Sequence, residues 1–490
     1  MTLPEIPDRA LVELGRTEGG PETLALLARD QDSRRLLLLR AVLDAVAGAD
    51  PALCPAVART RLFEDWALLE AADSAAPAGP PAEGSEERPG RPARSPVRVR
   101  LLDPLVGAWA QRLLRALGTD PARPGAPDRA RELGRDLAHF GALAAAAAAR
   151  AGVPFAVRLT ARDGTLALPS LGALRTADPG DVPVDVVHMG GRLTLKQRGA
   201  ADVVVHVERG TGAWSGSAAW TPAYALPALA TGAAPTPLDD LDPYRTVQGG
   251  ARYRGLSGAA TLDDAERKRW LHTWSGTAVE LRLGGEQRLA EAVALLRCLI
   301  PLAAPPGTDP DDCTGGTCSG TRREAFGAVL SSTPQTPTVF AATLVHELQH
   351  TKLVALSEAV ILHQADARER YFAPWRPDPR PYDGLLQGTY SHLALADFFQ
   401  RRALTLARPA DREAAWAVHA RCREQVGAAL PALVGSTDLT VRGRRFVDAM
   451  VAVHERLGEH PAPRGHAVRA QAYVASARAL FANRRIRPTG

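Results

Sequence analysis

The sequence predicts a mostly helical α+β protein, on three observations. Apolar residues recur at helical spacing over the first 150 positions and again from Leu262 onward. Between Val153 and about residue 220 the period changes to strict alternation. A long apolar stretch, TPTVFAATLVHELQHTKLVALSEAVILHQ, carries two histidines four apart and reads as one helix. With 490 residues the chain exceeds one compact core. The expected division is a helical region over 1–150, a β-rich section over 151–235 and a helical domain over 236–490.

In chain order, PETLALLARDQDSRRLLLLRAVLDAVA and TRLFEDWALLEAA repeat apolar residues at three and four. Ser74 to Pro96 is rich in Pro, Gly, Ser and charge and has no apolar face to bury, so 74–96 reads as a flexible linker. Helices resume with VRLLDPLVGAWAQRLLRAL and ARELGRDLAHFGALAAAAAARAG. The alanine run at 144–149 permits close helix packing. In PFAVRLTARDGTLALPSLG the alternation turns back at Asp163-Gly164, a hairpin signal. The segment TCSGTRREAFGAVLSSTPQTPT reads as a strand and turn ahead of the histidine helix. Four prolines between 374 and 381 stop any helix, and LLQGTYSHLALADFFQRRAL starts a new one.

Composition narrows the function classes. No apolar run approaches a membrane span, and the first residues lack a basic-then-apolar signal, so the expectation is a cytoplasmic protein with no membrane partner. Five cysteines do not make a disulfide framework, and Cys313 and Cys318 lack the second pair of a zinc ribbon. The net charge of +5 reflects abundant arginine, lysine occurring only at Lys196, Lys268 and Lys352. No interleaving of aromatic and basic residues marks a nucleic-acid surface. The tail NRRIRPTG reads as a solvated basic end.

His346-Glu347-Leu348-Gln349-His350 carries the chemistry. Two histidines four apart on a helix share one face and can share one metal. Glu347 flanks them and can touch a metal-bound water or a ligand. A catalytic site needs a third protein ligand. Glu358 lies eight residues beyond His350, about 12 Å along a continued helix and out of reach. The metzincin continuation is absent, positions 353 and 356 being leucines. His363 fails for the same reason as Glu358. His392, on the helix after the proline-rich break, is the candidate, because a returning helix can bring it back over the first one. Glu369, Asp366 and Asp397 are secondary candidates. Lys352 points away from the histidine face, at about 100° per residue.

Three functions follow from such a site. A zinc peptidase would use Glu347 as general base. An oxygenase would hold Fe(II) on one face and leave the other open to a chelating cosubstrate and O2. A non-catalytic peptide-binding scaffold would retain a structural metal. Arg376 and Arg380, in WRPDPRPYDG, suit the far carboxylate of a 2-oxo acid, which an arginine fork holds well.

Beyond the motif, the chain resembles the bacterial α-ketoglutarate–HExxH peptide β-hydroxylases, HEXXH motif-containing proteins found largely in actinobacterial clusters for ribosomally made, modified peptides. The resemblance is carried by QDSRRLLLLRAVL, LLDPLVGAWAQRLLRAL, LAHFGALAAAAAARAGVPF, RDGTLALPSLG, REAFGAVLSS, LVHELQHTKL and YFAPWRPDPRPYDGLLQGTYSHLALADFF, from about residue 30 to about residue 400. It implies an Fe(II)- and 2-oxoglutarate-dependent enzyme that uses O2 to hydroxylate a β-carbon of a precursor peptide. It also implies metal roles for His346 and His350, and for His392 with the arginine loop as cosubstrate holder. Glu347 becomes a near-shell hydrogen-bonding residue. Some relatives are fused to radical-SAM domains. This chain has no CxxxCxxC motif.

Overall fold

A computed structural model of the chain describes residues 5–75, 95–118, 126–208, 210–245, 256–304 and 318–486. Most of the 74–96 segment, Cys313 and the last residues of the basic tail lie outside these. The protein is 56% helix and 14% strand, a mostly helical α+β fold.

Six helices come first: α1 (Asp8–Gly15), α2 (Pro21–Gly48), α3 (Ala56–Ala75), α4 (Pro96–Leu101), α5 (Pro104–Leu117) and α6 (Ala126–Arg150). Leu39, Val42, Leu62, Leu69, Trp109 and Phe140 form the core of this bundle. The alanine run of α6 is buried on two sides. Ala144, Ala147 and Ala148 face the helices, whereas Ala142, Ala145, Ala146 and Ala149 face strands. A methyl side chain lets both layers approach one helix closely.

Seven strands follow: β1 (Phe155–Ala161), β2 (Thr165–Leu168), β3 (Gly172–Arg175), β4 (Val182–Met189), β5 (Arg192–Lys196), β6 (Val203–His206) and β7 (Trp220–Pro222). They form two antiparallel sheets, ordered β1-β4-β5-β6 and β2-β3-β7. Asp163 and Gly164 turn β1 into β2 with φ of 49° and 78°. Two consecutive positive φ values belong to the tight turn that an Asp-Gly pair favours.

A third sheet was legible in the sequence only through the strand read in TCSGTRREAFGAVLSSTPQTPT, where two of its strands lie. Strands β8 (Tyr224–Leu226), β9 (Thr236–Leu238), β10 (Cys298–Leu302), β11 (Ser319–Thr321) and β12 (Ala328–Ser332) are ordered β11-β12-β10-β9-β8. Central β10 and β12 run parallel and are buried throughout. Helices α7 (Asp264–Leu283) and α8 (Glu286–Leu295) precede β10. After β12 come α9 (Pro337–Ala359), α10 (Tyr382–Thr405), α11 (Pro409–Val434), α12 (Val441–Arg456) and α13 (Arg464–Ile486). Among the described residues no helix is long and apolar enough to cross a membrane.

The cores do not divide at residues 150 and 235. Leu11, Leu14, Leu24 and Leu27 join the largest core, with Leu344, Leu348, Leu386 and Phe446. Tyr390 of α10 donates its hydroxyl to the carbonyl of Leu14 at 2.6 Å. Helix α2 runs from this core into the N-terminal bundle, and β8 and β9 join the sheet that supports α9.

The start of α9 follows from Pro337 at its first position and from Thr336, whose side chain accepts from the Val339 amide at 3.2 Å. Its end corrects the reading of one helix to Gln364. It stops at Ala359, because the next residues hydrogen-bond elsewhere: Gln364 donates to the Asp438 carbonyl at 2.9 Å and Leu362 accepts from the Thr440 amide at 3.0 Å.

Candidate metal centre

His346 and His350 lie one turn apart on α9, with their Nε2 atoms 3.1 Å apart. Two imidazole nitrogens sharing one metal at roughly 2.0–2.1 Å, with an angle between square and tetrahedral, are about 2.9–3.4 Å apart. The pair therefore already has ligand spacing. α10 packs against α9 and sets its partners. The Nδ1 of His350 donates to Oε1 of Gln387 at 3.0 Å, leaving the Nε2 lone pair turned toward His346. His392 repeats the device: its Nδ1 donates to the Gly388 carbonyl at 2.8 Å. Its ring meets that of His346 edge-on, with centroids 5.5 Å apart.

Two of the three imidazoles, His346 and His392, are pushed toward their neutral forms. Burial pushes the His346 pKa well below the usual range, and His350 and His392 add to this. Burial also lowers His392 to about 4. Neutral imidazole is the form that ligates a metal, so protons compete weakly here at neutral pH.

Glu347 is 3% exposed. Its Oε1 accepts from the Ser319 hydroxyl at 2.8 Å, on the edge strand β11. Burial raises its pKa, opposed by His350 and by hydrogen bonds from Ser319 and Thr321.

The proline-rich loop reaches the cluster through Trp375. This indole stacks on His392 at 4.6 Å between centroids, with planes 20° apart. It also lies over Gly388, where a Cβ would come within 2.3 Å of the ring, so glycine is required there. Arg376 and Arg380 instead face Asp378, at 3.5 and 3.8 Å. The backbone of Arg380 pairs with that of Tyr371.

The other carboxylates are engaged elsewhere. Glu358 pairs with Arg323 at 3.0 Å and Asp366 with Arg370 at 2.9 Å; Asp397 is buried against Arg288 at 3.1 Å. Glu369 is exposed. Lys352 does point away from the histidines: its Nζ donates to Glu291 at 2.8 Å and to the Thr17 carbonyl at 3.1 Å. His363 faces Asp383 and Tyr382.

In donor chemistry the site fits a divalent transition metal, with His346 and His350 at ligand spacing and His392 beside them. Among the described residues no group of three or more His, Cys, Asp or Glu is arranged to hold a metal ion. The third ligand would have to move toward the pair. Sequence reasoning missed Gln387, Trp375, Gly388 and Ser319. Signals for three of these were present: Gln387 and Gly388 stand about one turn before His392 on its own helix, and Ser319 lies in the segment read as a strand and turn ahead of the motif. No protein-family model matches the chain, and no curated protein matches it.

Proposed function

We propose that this chain is an Fe(II)- and 2-oxoglutarate-dependent dioxygenase that hydroxylates a β-carbon in a ribosomally synthesised peptide. One observation supports it most: a cluster of three part-buried histidines in which His350 and His392 are each oriented through Nδ1. The resemblance described above supplies the reaction class. Iron held by His346, His350 and His392 would supply the oxidising chemistry with 2-oxoglutarate and O2. Gln387 and the Gly388 carbonyl fix the imidazole tautomers. Trp375 covers one face of His392 and excludes water from it. Glu347, bound by Ser319, orients groups beside the metal and is held back from acting as a free base. Arg376 and Arg380 would take the far carboxylate of 2-oxoglutarate, exchanging Asp378 for it. Cytoplasmic residence belongs to the same proposal.

Anaerobic reconstitution followed by succinate measurement tests this. The native chain should bind iron and form succinate from 2-oxoglutarate; His346→Ala and His350→Ala should do neither. Stoichiometric iron in both variants would remove the site from the proposal.

A zinc peptidase is the second reading. The raised pKa of buried Glu347, next to the metal motif, is what favours it, since a general base works best near the operating pH.

A further inference from the structure

The second candidate site lies away from the histidines, where the two antiparallel sheets part. β1 pairs with β4 on one edge, and β2 pairs with β3 on one edge. Their other edges face each other, since the single bridge Arg162↔Thr165 joins them at the Asp163-Gly164 turn. Among the described residues no further bridge joins the two strands. Among the described residues neither open edge has a further strand partner. A cleft of about 820 Å³ lies here, bounded by β1, β2 and the Arg131–Ala142 face of α6.

Open strand edges are unsatisfied hydrogen-bonding templates, and proteins usually cover or blunt them. Here they line a cavity, with Leu159 of β1 and Leu166 of β2 forming apolar ground between. That is the arrangement in which an extended peptide adds as a strand.

The charges select the peptide. Five arginines and three aspartates line the cleft. The aspartates are engaged: Asp163 and Asp181 bind Arg135 at 2.6 and 2.7 Å, and Asp240 binds Arg267 at 3.3 Å. Among the described residues Arg175 and Arg245 make no ion pair; the Arg245 side chain donates to the Asp242 carbonyl and the Thr261 hydroxyl. Arg131, Arg135 and Arg162 are ion-paired, so Arg175 and Arg245 are the lining arginines without a carboxylate partner among the described residues. Asp240 adds one acceptor. It is 1% exposed, and its Oδ1 has no hydrogen-bond partner among the described residues, which suits a peptide N–H.

We propose that the cleft between β1 and β2 binds an extended, acidic peptide segment, which adds as a strand and presents carboxylates to Arg175 and Arg245. The inference rests on the reading of this chain as a peptide-modifying protein. The site would hold part of the peptide remote from the residue modified.

The test uses the full chain and a short synthetic peptide alternating Glu and Val, with a Lys–Val counterpart. Fluorescence anisotropy should show binding of the acidic peptide alone. Arg175→Glu and Arg245→Glu should each weaken it about fivefold or more, with the circular dichroism spectrum unchanged. Backbone hydrogen exchange should slow in residues 159–167 when the peptide is added. The His346→Ala variant should bind the peptide as well as the native chain, so loss of the metal reading leaves this result intact. Equal affinity for both peptides, no effect of both arginine variants, or protection outside 159–167 would each overturn the proposal.

Discussion

Gln387 accepts a hydrogen bond from His350 Nδ1 at 3.0 Å, across the interface between α10 and α9. One amide thereby sets which nitrogen of a candidate ligand faces the metal. Removing such a partner typically weakens metal affinity tenfold to a hundredfold. Gln387→Leu should lower iron or zinc affinity by that range in a competition titration and leave the thermal midpoint of the metal-free protein nearly unchanged. Native affinity in the variant would show that Gln387 does not position His350.

Gly388 ties the proline-rich loop to His392. A methyl group there would meet the Trp375 ring at 2.3 Å. Gly388→Ala should displace the indole, cost about 1–3 kcal/mol as overpacking does, and weaken metal binding through His392. Trp375→Leu should relieve the clash, so the double variant should be more stable than Gly388→Ala alone. Additive destabilisation in the double variant would contradict the contact.

The motif helix, the hairpin at Asp163-Gly164 and the second helix carrying His392 were legible because each rests on local rules: period, turn chemistry and proline. What was not legible depends on contacts distant in sequence. Ser319 reaches Glu347 from 28 residues away, and Tyr390 reaches Leu14 from 376. The end of α9 is decided by residues 438–440, which no local pattern announces. Strand β10 is a five-residue apolar run, CLIPL, too short for its period to be read. The proline-rich loop was read through its charges, whereas its aromatic residue is the one that enters the site.

Burial beside Trp109 and Tyr244 lowers the His139 pKa to about 3. Unfolded, this histidine titrates near 6.5 and binds a proton that the folded state refuses. Stability from this group is therefore present above about pH 6.5 and falls as pH drops toward 3. Between pH 7 and pH 4.5 the loss is on the order of 2 kcal/mol. The thermal midpoint of native protein should fall more over that range than that of His139→Phe. Parallel pH profiles would show that His139 is not held neutral by the fold.

Arg376 and Arg380 should act on the cosubstrate and leave the metal in place. Losing an arginine paired with a carboxylate typically costs a few kcal/mol when the pair is shielded. Arg376→Ala or Arg380→Ala should raise the 2-oxoglutarate concentration needed for half-maximal succinate formation by at least about tenfold, with iron still bound. An unchanged requirement in both variants would count against the assignment.

The reaction class is tested most directly by mass spectrometry of the precursor peptide after incubation with the enzyme, Fe(II), 2-oxoglutarate and O2. The account predicts an intact backbone that gains the mass of one oxygen atom on a single side chain, with succinate formed alongside. Backbone cleavage by the zinc-loaded protein without 2-oxoglutarate, each cut adding the mass of one water, would contradict it.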